Sequence, residues 1–507
     1  ENIDAVVVAT VTEKPNLVMH WNGETIVDLE RSFLDTNGVR VVVDAKVVDK
    51  DVKLPEERTT SAESLETDLL ALLSDLNHAS QKGLQTIFDS SVGRSTVNHP
   101  LGGRYQITPI EASVQKLPVQ SGFTNTASVI AQGFHPYLAE WSPYHGAAYA
   151  VIEATARLVS AGGEWSKARF SYQEYFERMD KKAERFGQPV SALLGSIEAQ
   201  IQLGLPSIGG KDSMSGTFEE LTVPPTLVAF GVTTADTRKV LSPEFKAVGE
   251  WIYYIPGSAL SQEIDFETVK ANFTQFASLQ NEYAISAASA VKYGGVLESL
   301  ALMSLGNRIG AKVNLTDLST CLTGQLGGFV FTSKEDIPNV AKIGQTTQLF
   351  TLTVNDIDIN GLNLLNAFEG KLEAVYPTEF EQSKVLEDVP ALVSDTVIKA
   401  KDTVAELLVY IPVFPGTNSE YDSAKAFEAA GAKVNLVPFV TLDEAAIVKS
   451  VDTMVDNIDK ANIIFFAGGF SAADEPDGSA KFIVNILLNE KVKKAIDAFI
   501  SRGGLII

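Results

Sequence analysis

Hydrophobic and polar positions alternate along the first 48 residues in a way that predicts β-strands. Four runs are rich in β-branched residues: DAVVVATV, NLVMHW, ETIVDL and RVVVDAKVV. Turn residues separate them at 14–16 and 22–23. This stretch is therefore expected to be the end of a mixed lobe, beginning with a strand-like run over 5–11.

A helical pattern follows a charged, loop-like segment at 49–61. Leucines at positions 65, 69, 72, 73 and 76 recur at three- and four-residue spacings, which places them on one face of a helix. A further helix is predicted between His145 and Gly162. A helical stretch near 284–305 is predicted to precede a loop at 306–310.

The last hundred residues repeat a pattern of strand, loop and helix. Apolar runs in ELLVYIPV, KVNLVPF, NIIFF and GLII are separated by helical segments. Strands that alternate with helices of this length predict a parallel sheet covered by helices. The chain begins at Glu1 and stops in GLII, which reads as a buried strand, so we expect a piece of a longer protein.

Composition and charge narrow the function classes. Of 507 residues, 45% are hydrophobic and 21% charged, which excludes a collagen, a coiled-coil rod and a mostly disordered chain. The net charge of −23 argues against binding to nucleic acid or to an anionic membrane, although a local pocket can still take a small phosphorylated ligand. A single cysteine, Cys321, excludes an intrachain disulfide framework and a multi-cysteine zinc site, and it suits a reducing, cytoplasmic location.

The most specific motif is PSIGGKDSMSGT, at 206–217. Gly209 and Gly210 permit a turn whose backbone N–H groups converge on an anion, and Lys211 supplies a point charge for phosphate. Asp212 is a hard oxygen ligand suited to Mg²⁺. Two hydroxyls, of Ser213 and Ser215, can add contacts. The alternative is an ordinary Gly-Gly turn with a surface Lys-Asp pair.

Glu153 lies in the predicted helix, between apolar neighbours. Its carboxylate can project into a cleft and take a second metal position. Alternatively, it pairs with Arg157 at i+4 on the helix surface.

Other candidates depend on loops. Arg104 follows two glycines and can form a bidentate phosphate contact or be a solvated loop arginine. In the last domain, Gly468 and Gly469 follow a strand and can aim N–H groups at an oxyanion. The remaining assignments are structural: N-caps at Asn418 or Ser419, and structural roles for His99, His135 and His145. Asn307 and Arg308 are expected to cap or terminate a helix, with a phosphate contact as the alternative.

In combination, these segments are more specific than any one of them. GGKDSMSGT, LGGRYQITP, GNRIG, VFPGTNSEYDSAKAFEAAGA and FFAGGFSAADEPDGSA resemble the large, single-chain phosphoribosylformylglycinamidine synthases of purine biosynthesis over nearly the whole chain. The resemblance implies two fused units like aminoimidazole ribonucleotide synthetase, followed by a flavodoxin-like class I glutaminase. The implied fold class is therefore α/β and α+β multidomain.

The same resemblance assigns the segments. Residues 1–48 would end the first copy, and 49–92 would form a linker with a helix. Residues 93–240 would be the nucleotide- and Mg²⁺-binding lobe of the second copy, with its C-terminal lobe at 241–395. A glutaminase part would occupy 402–507 and stop before its nucleophile.

The implied reaction converts formylglycinamide ribonucleotide to formylglycinamidine ribonucleotide with ATP and glutamine. The resemblance places an auxiliary site for Mg²⁺ and ATP or ADP on Gly209, Gly210, Lys211, Ser213, Ser215 and Arg104. Its metal ligands would be Asp212 and Glu153, and Arg157 stands where the family has an asparagine one turn after that glutamate. Gly468 and Gly469 match the oxyanion loop.

The partners implied for the full-length enzyme are those substrates, the first synthetase-like half and the rest of the glutaminase. We expect this chain alone to have no glutaminase activity, because Cys321 lies in another domain and cannot replace the missing nucleophile. Without most of the first copy, it should not make formylglycinamidine ribonucleotide either. Two alternatives stay open. One is a non-catalytic nucleotide-binding scaffold. The other is a further ATP-using enzyme of the synthetase superfamily, such as a kinase or a selenophosphate-synthetase-like enzyme.

Overall fold

The computed structural model describes residues 5–35, 42–48, 58–91, 95–119, 122–180, 182–378, 393–394, 396, 403–469 and 478–507. Two compact units contain them. The first comprises 1–41, 119–123 and 385–507, and the second comprises 42–118 and 124–384. The first part of the predicted loop, 49–57, and the motif residues 470–477 lie outside the described residues, as does 379–392 of the predicted 241–395 lobe.

The first hairpin follows the predicted pattern only in part. Strands β1 (Asn16–Trp21) and β2 (Glu24–Glu30) pair antiparallel, and the short helix α1 (Arg31–Leu34) follows. Both turn residues, Asn22 and Gly23, have positive φ, as a two-residue hairpin turn requires. The strand predictions for 5–11 and for 42–48 are wrong, because neither segment pairs with another strand among the described residues.

The leucine pattern forms helix α2 (Leu65–Leu73), and α3 (Lys82–Gln85) follows it. Four of the five leucines are buried. Leu76 lies beyond the helix end and is 58% exposed, so its assignment to the buried face is wrong.

A five-stranded sheet occupies the first part of the second unit. After the small pair β3 (Leu101–Gly102) and β4 (Thr108–Pro109), the chain forms β5 (Ser113–Lys116), β6 (Thr126–Gly133), β7 (Arg169–Tyr175), β8 (Ser207–Lys211), the hairpin β9 (Thr217–Phe218) and β10 (Leu221–Thr222), and β11 (Thr226–Asp236). The sheet order is β5-β6-β11-β7-β8, so β8 is an edge strand, parallel to β7.

Three helices belong to this part of the chain: α4 (Pro136–Trp141), α5 (Pro143–Ser160) and α6 (Ala183–Leu203). Helix α5 confirms the one predicted after His145. Ser142 caps it by accepting the His145 N–H at 3.4 Å, and Pro143 fits the first turn, where its missing N–H is not needed. Short 3₁₀ helices cover Trp165–Lys167 and Thr237–Lys239.

A seven-stranded sheet follows, with a small two-stranded pair. In chain order, the strands of the sheet and of the pair are β12 (Trp251–Ile255), β13 (Ser258–Ala259), β14 (Ile285–Val291), β15 (Gly310–Val313), β16 (Gln325–Leu326), β17 (Gly328–Ser333), β18 (Ala341–Thr347), β19 (Thr351–Val354) and β20 (Ile357–Asn360). The large sheet has the order β14-β17-β12-β18-β15-β19-β20, and β13 pairs with β16.

The helices of this part are α7 (Phe266–Glu282), α8 (Gly295–Leu305) and α9 (Gly361–Gly370). The helix predicted near 284–305 is therefore wrong in its first half, which is strand β14. Both the strand and the helix are almost wholly buried, so the apolar run carries no helical period that would separate them.

The C-terminal sheet confirms the predicted parallel arrangement. Strands β21 (Leu408–Val413), β22 (Lys433–Pro438), β23 (Ile463–Ile464) and β24 (Leu505–Ile506) are parallel in the order β22-β21-β23-β24. This is the start of the flavodoxin-like order 2-1-3-4-5. Four helices accompany it: α10 (Glu420–Ala429), α11 (Glu444–Lys460), α12 (Gly478–Leu487) and α13 (Glu490–Ser501).

The predicted combination of α/β and α+β architecture is thus confirmed. The expectation of a buried final strand is wrong, because Leu505 is 53% exposed at the sheet edge. None of the helices in the described ranges is long and apolar enough to cross a bilayer.

Candidate functional site

The Gly-Gly motif lies on β8, at the open edge of the five-stranded sheet. Gly209 has φ +150°, and a register shift in β7 lies beside it. A Cβ on Gly210 would lie 2.7 Å from the Tyr172 carbonyl oxygen, so glycine there lets the two strands approach. The prediction of a turn at 209–210 is therefore wrong: these residues form an exposed edge strand, whose outer side presents unpaired backbone groups.

Charged groups flank the end of this strand. The Lys211 and Asp212 side chains are exposed, and the Gln173 side-chain amide donates to the Lys211 carbonyl oxygen at 3.2 Å. Glu174 lies nearby on β7, where burial and the negative charge of Asp212 raise the pKa of its carboxyl. The strand end therefore combines an exposed cation with two carboxylates of unequal exposure.

Ser213 and Ser215 form a pair. Their hydroxyl groups hydrogen-bond each other at 2.8 Å, and the Phe176 N–H donates to the Ser213 carbonyl oxygen at 2.9 Å. The segment after β8 is thereby fastened to the end of β7.

Arg104 lies in a loop that the 306–310 motif holds in place. Its N–H donates to the Asn307 side-chain oxygen at 2.7 Å, and the Asn307 amide donates to the Phe245 carbonyl oxygen at 2.8 Å. The Arg308 guanidinium lies over the Tyr105 ring, 4.1 Å from its centroid. The structure thus brings two predicted motifs together. Among the described residues, no hydrogen bond or ion pair joins Arg104 to β8.

Glu153 lies on α5 with its side chain 9% exposed, and burial raises the pKa of its carboxyl. Its Oε1 is 3.6 Å from Nη1 of Arg157, so the alternative pairing at i+4 is present. Within the described ranges, no group of three or more His, Cys, Asp or Glu side chains could hold a metal ion, so neither Glu153 nor Asp212 belongs to such a group.

A cavity of about 410 Å³ lies inside the second unit. Glu153 and Arg157 line it, together with side chains that the sequence did not single out as functional. These include Glu111, Gln132, Ser289, Lys292 and Glu298, together with the aromatic residues His78, His135, Tyr149 and Tyr293.

Two histidines in this cavity have strongly different environments. Burial alone would lower the pKa of His78, but Glu298, 2.5 Å from its Nδ1, outweighs burial and raises it. His135 stacks on Tyr293 at 3.7 Å, and burial, with the charge of His78, lowers its pKa to about 3. Neither ring nitrogen of His135 has a hydrogen-bond partner among the described residues. His78 and Glu298 are far apart in sequence, so no spacing signals this pair.

In the C-terminal sheet, the Gly468-Gly469 turn packs against the loop that precedes α10. The Asn418 N–H donates to the Gly468 carbonyl oxygen at 2.8 Å, and a Cβ on Gly469 would lie 2.1 Å from the Gly416 carbonyl oxygen. Ser419 is the N-cap residue, with φ +63°, but its side chain makes no capping hydrogen bond. The close approach explains the second glycine without an oxyanion.

The single cysteine is buried in the second unit. Burial raises the pKa of the Cys321 thiol to about 12. A thiol held neutral in this way is a poor nucleophile.

Comparisons with known proteins agree with the motifs. Residues 406–507 match the family of CobB/CobQ-like glutamine amidotransferase domains. The chain is 26% identical over 345 residues to the phosphoribosylformylglycinamidine synthase subunit PurL of Picrophilus torridus, covering 64% of this chain and 45% of the relative. With PurL of Pyrococcus furiosus it is 25% identical over 364 residues, covering 68% of this chain and 49% of the relative. The predicted resemblance is confirmed.

The chain spans about half the length of the PurL relatives it matches. Among solved structures, Thermotoga maritima PurL complexed with FGAR superposes with a TM-score of 0.47 at 11% identity, over 65% of this chain and 56% of that one. The PurL similarity and the amidotransferase match at 406–507 occur in one chain, and the latter range falls inside the predicted glutaminase segment.

Proposed function

We propose that this chain is part of an ATP- and glutamine-dependent ligase that converts formylglycinamide ribonucleotide to formylglycinamidine ribonucleotide in purine biosynthesis. One observation carries the proposal: similarity to PurL and a glutamine amidotransferase match occur in a single chain. A kinase or a selenophosphate-synthetase-like enzyme would have no use for a domain that releases ammonia. The single cysteine supports a cytoplasmic location for the enzyme.

The proposed chemistry has two displacement steps. The carbonyl oxygen of the glycinamide group attacks the terminal phosphorus of ATP and ADP leaves, which turns a poor leaving group into phosphate. Ammonia released from glutamine then attacks the carbonyl carbon of the same glycinamide group, and phosphate departs with the former amide oxygen. In sum, formylglycinamide ribonucleotide, ATP, glutamine and water give formylglycinamidine ribonucleotide, ADP, phosphate and glutamate.

The contribution proposed for these residues is an auxiliary nucleotide site at the β8 edge. Unpaired N–H groups near Gly209 and Gly210 can donate to a diphosphate, and the exposed Lys211 can neutralise it. Ser213, Ser215 and Arg104 are the further proposed contacts. When Mg²⁺ accompanies the nucleotide, the exposed Asp212 would hold it, since Mg²⁺ takes one or two carboxylates plus phosphate oxygens.

Calorimetry with Mg-ADP tests this proposal. Asp212→Ala should weaken ADP binding at least about tenfold, because a carboxylate that holds the metal is lost. Glu220→Ala, which removes an exposed carboxylate nearby in the same unit, is the matched control and should leave the affinity unchanged. Equal ADP affinity in the wild type and Asp212→Ala would instead favour the non-catalytic scaffold.

A genetic experiment tests the reaction itself. A gene that contains these residues should restore growth without added purines to a strain lacking phosphoribosylformylglycinamidine synthase. Failure by a gene whose full product is well expressed would count against the proposed reaction, whatever the ADP affinity.

A further inference from the structure

The family resemblance implies a metal position at Glu153. In the structure, the carboxylates there, of Glu111 and Glu153, are paired with basic side chains of the protein. The Arg157 guanidinium lies 3.3 Å from Oε2 of Glu111 through Nε and 3.6 Å from Oε1 of Glu153 through Nη1. Its three nitrogens also donate to the backbone carbonyl oxygens of Glu111, Gln132 and Ile110, at 3.0, 3.1 and 3.4 Å. These contacts hold the Arg157 guanidinium in place, because moving it would leave several hydrogen-bond acceptors unpaired.

A second cation completes the arrangement. Nζ of Lys292 donates to Oε1 of Glu111 at 2.9 Å and to the Ala290 carbonyl oxygen at 3.2 Å. The Ser289 hydroxyl donates to the same Glu111 oxygen at 2.8 Å. Glu111 is only 5% exposed: its Oε1 accepts both of these hydrogen bonds, whereas its Oε2 lies 3.3 Å from Nε of Arg157 and has no hydrogen-bond partner among the described residues.

The carboxylate of Glu153 also has partners within the protein. Besides Arg157, its carboxylate accepts hydrogen bonds from the Phe134 N–H and from the Tyr149 side chain. The cluster contains two acidic and two basic side chains, so its formal charge is zero without any bound ion.

A divalent cation does not fit this arrangement. Mg²⁺ requires close to octahedral oxygen coordination at about 2.0–2.1 Å. It would have to displace Arg157 or Lys292 from the carboxylates, and a displaced cation that stayed in the cavity would repel it. The asparagine that the family resemblance leads one to expect at position 157 would offer an oxygen ligand, whereas arginine has no acceptor.

We infer that Arg157 and Lys292 take the place of a metal ion at Glu111 and Glu153, so that this cavity keeps its carboxylates as an internal ion-pair cluster that binds no divalent cation. The inference does not depend on the proposed nucleotide site, because Asp212 lies outside the cavity lining.

Mn²⁺ alone is the probe, and electron paramagnetic resonance counts the free ion. The full chain in about 0.3 M KCl, where weak surface binding is screened, should show no site with Kd below about 0.1 mM. Glu153→Gln should bind the same number of Mn²⁺ ions as the wild type. A double variant, Arg157→Asn with Lys292→Met, should gain one site, and adding Glu153→Gln should remove it.

The opposite result would overturn the inference: the wild type would bind Mn²⁺ at a site with a Kd below about 0.1 mM, and Glu153→Gln would lack that site. A wild-type chain without such a site supports the inference even if a variant fails to fold. A thermal scan adds a second readout. Replacing EDTA with 10 mM MgCl₂ should raise the unfolding midpoint of the wild type by no more than it raises that of Glu153→Gln. A larger Mg²⁺ stabilisation of the wild type would also contradict it.

Discussion

Removing the charge of Glu298 should destabilise the second unit strongly. Its carboxylate is 4% exposed, pairs with His78 at 2.5 Å and accepts the Gly294 N–H at 3.1 Å. Burial alone would raise the pKa of Glu298, but the His78 imidazolium outweighs it and lowers the pKa from 4.5 to about 2. That difference corresponds to about 3 kcal/mol in favour of the charged form.

Glu298→Gln keeps the shape and an acceptor for Gly294 but leaves His78 buried without a counter-charge. We expect the free energy of unfolding to fall by about 3 kcal/mol, which is the lower end of the range of about 3–5 kcal/mol typical for breaking a buried ion pair. With a urea m-value of about 3 kcal/mol/M, the denaturation midpoint falls by about 1 M. Tryptophan fluorescence reports on the correct unit, because Trp141, Trp165 and Trp251 belong to it.

The pH dependence provides a second check with a defined sign. The contribution of Glu298 is complete above its unfolded pKa near 4.5 and is lost as the pH falls through about 2. The contribution of His78, whose pKa is raised, is complete below about 6.5 and is lost as the pH rises through the folded value. The stability difference between wild type and variant should therefore be largest between about pH 4.5 and 6.5.

Glu282→Gln is the matched control, because this glutamate is exposed at the end of α7. It should change the free energy of unfolding by less than about 0.5 kcal/mol. A Glu298→Gln midpoint within 0.3 M of wild type, or a difference that stays constant across this pH range, would refute the ion-pair reasoning.

Three further outcomes are expected. Iodoacetamide at pH 8 should alkylate Cys321 only after unfolding in urea, since burial holds its pKa near 12; rapid labelling of the folded chain, seen by mass spectrometry, would be inconsistent with that burial. Gly195→Ala should lower the free energy of unfolding by about 2 kcal/mol in urea denaturation, because the new Cβ would lie 1.9 Å from the Tyr144 carbonyl oxygen. Gly370→Ala should leave it nearly unchanged, because a Cβ at position 370 has open space around it. Asn307→Ala removes the hydrogen bonds to Arg104 and Phe245, so amide exchange at Arg104 should accelerate several-fold; an unchanged exchange rate would show that the side chain does not hold the loop.

The sequence predicted best those elements whose pattern and burial agree. Helices α2 and α5 and the C-terminal parallel sheet have apolar positions that face a core and turn residues at their ends, so local pattern and tertiary packing point the same way. The motif order also sufficed for the resemblance that the PurL relatives confirm.

Other elements were missed for identifiable reasons. Helix α6 has apolar residues at 190, 193, 194, 197 and 201, a helical spacing that could have revealed it, but these residues are exposed. At β8, two glycines suggested a turn, although Gly210 lets β8 approach Tyr172 and Gly209 provides a backbone φ of +150° within the strand. Residues as far apart as His78 and Glu298, or Glu111 and Lys292, meet only through the tertiary fold, so no spacing predicts their ion pairs.

Hydrogen exchange at β8 in the presence of Mg-ADP tests the central proposal most directly. The strand is an exposed edge, so its outward N–H groups should exchange quickly in the free chain. If they hold a diphosphate, exchange across 207–212 should slow at least several-fold at saturating Mg-ADP, while the exposed hairpin of β1 and β2 stays unchanged. Unaltered exchange at 207–212 under the same conditions would contradict the proposed nucleotide site.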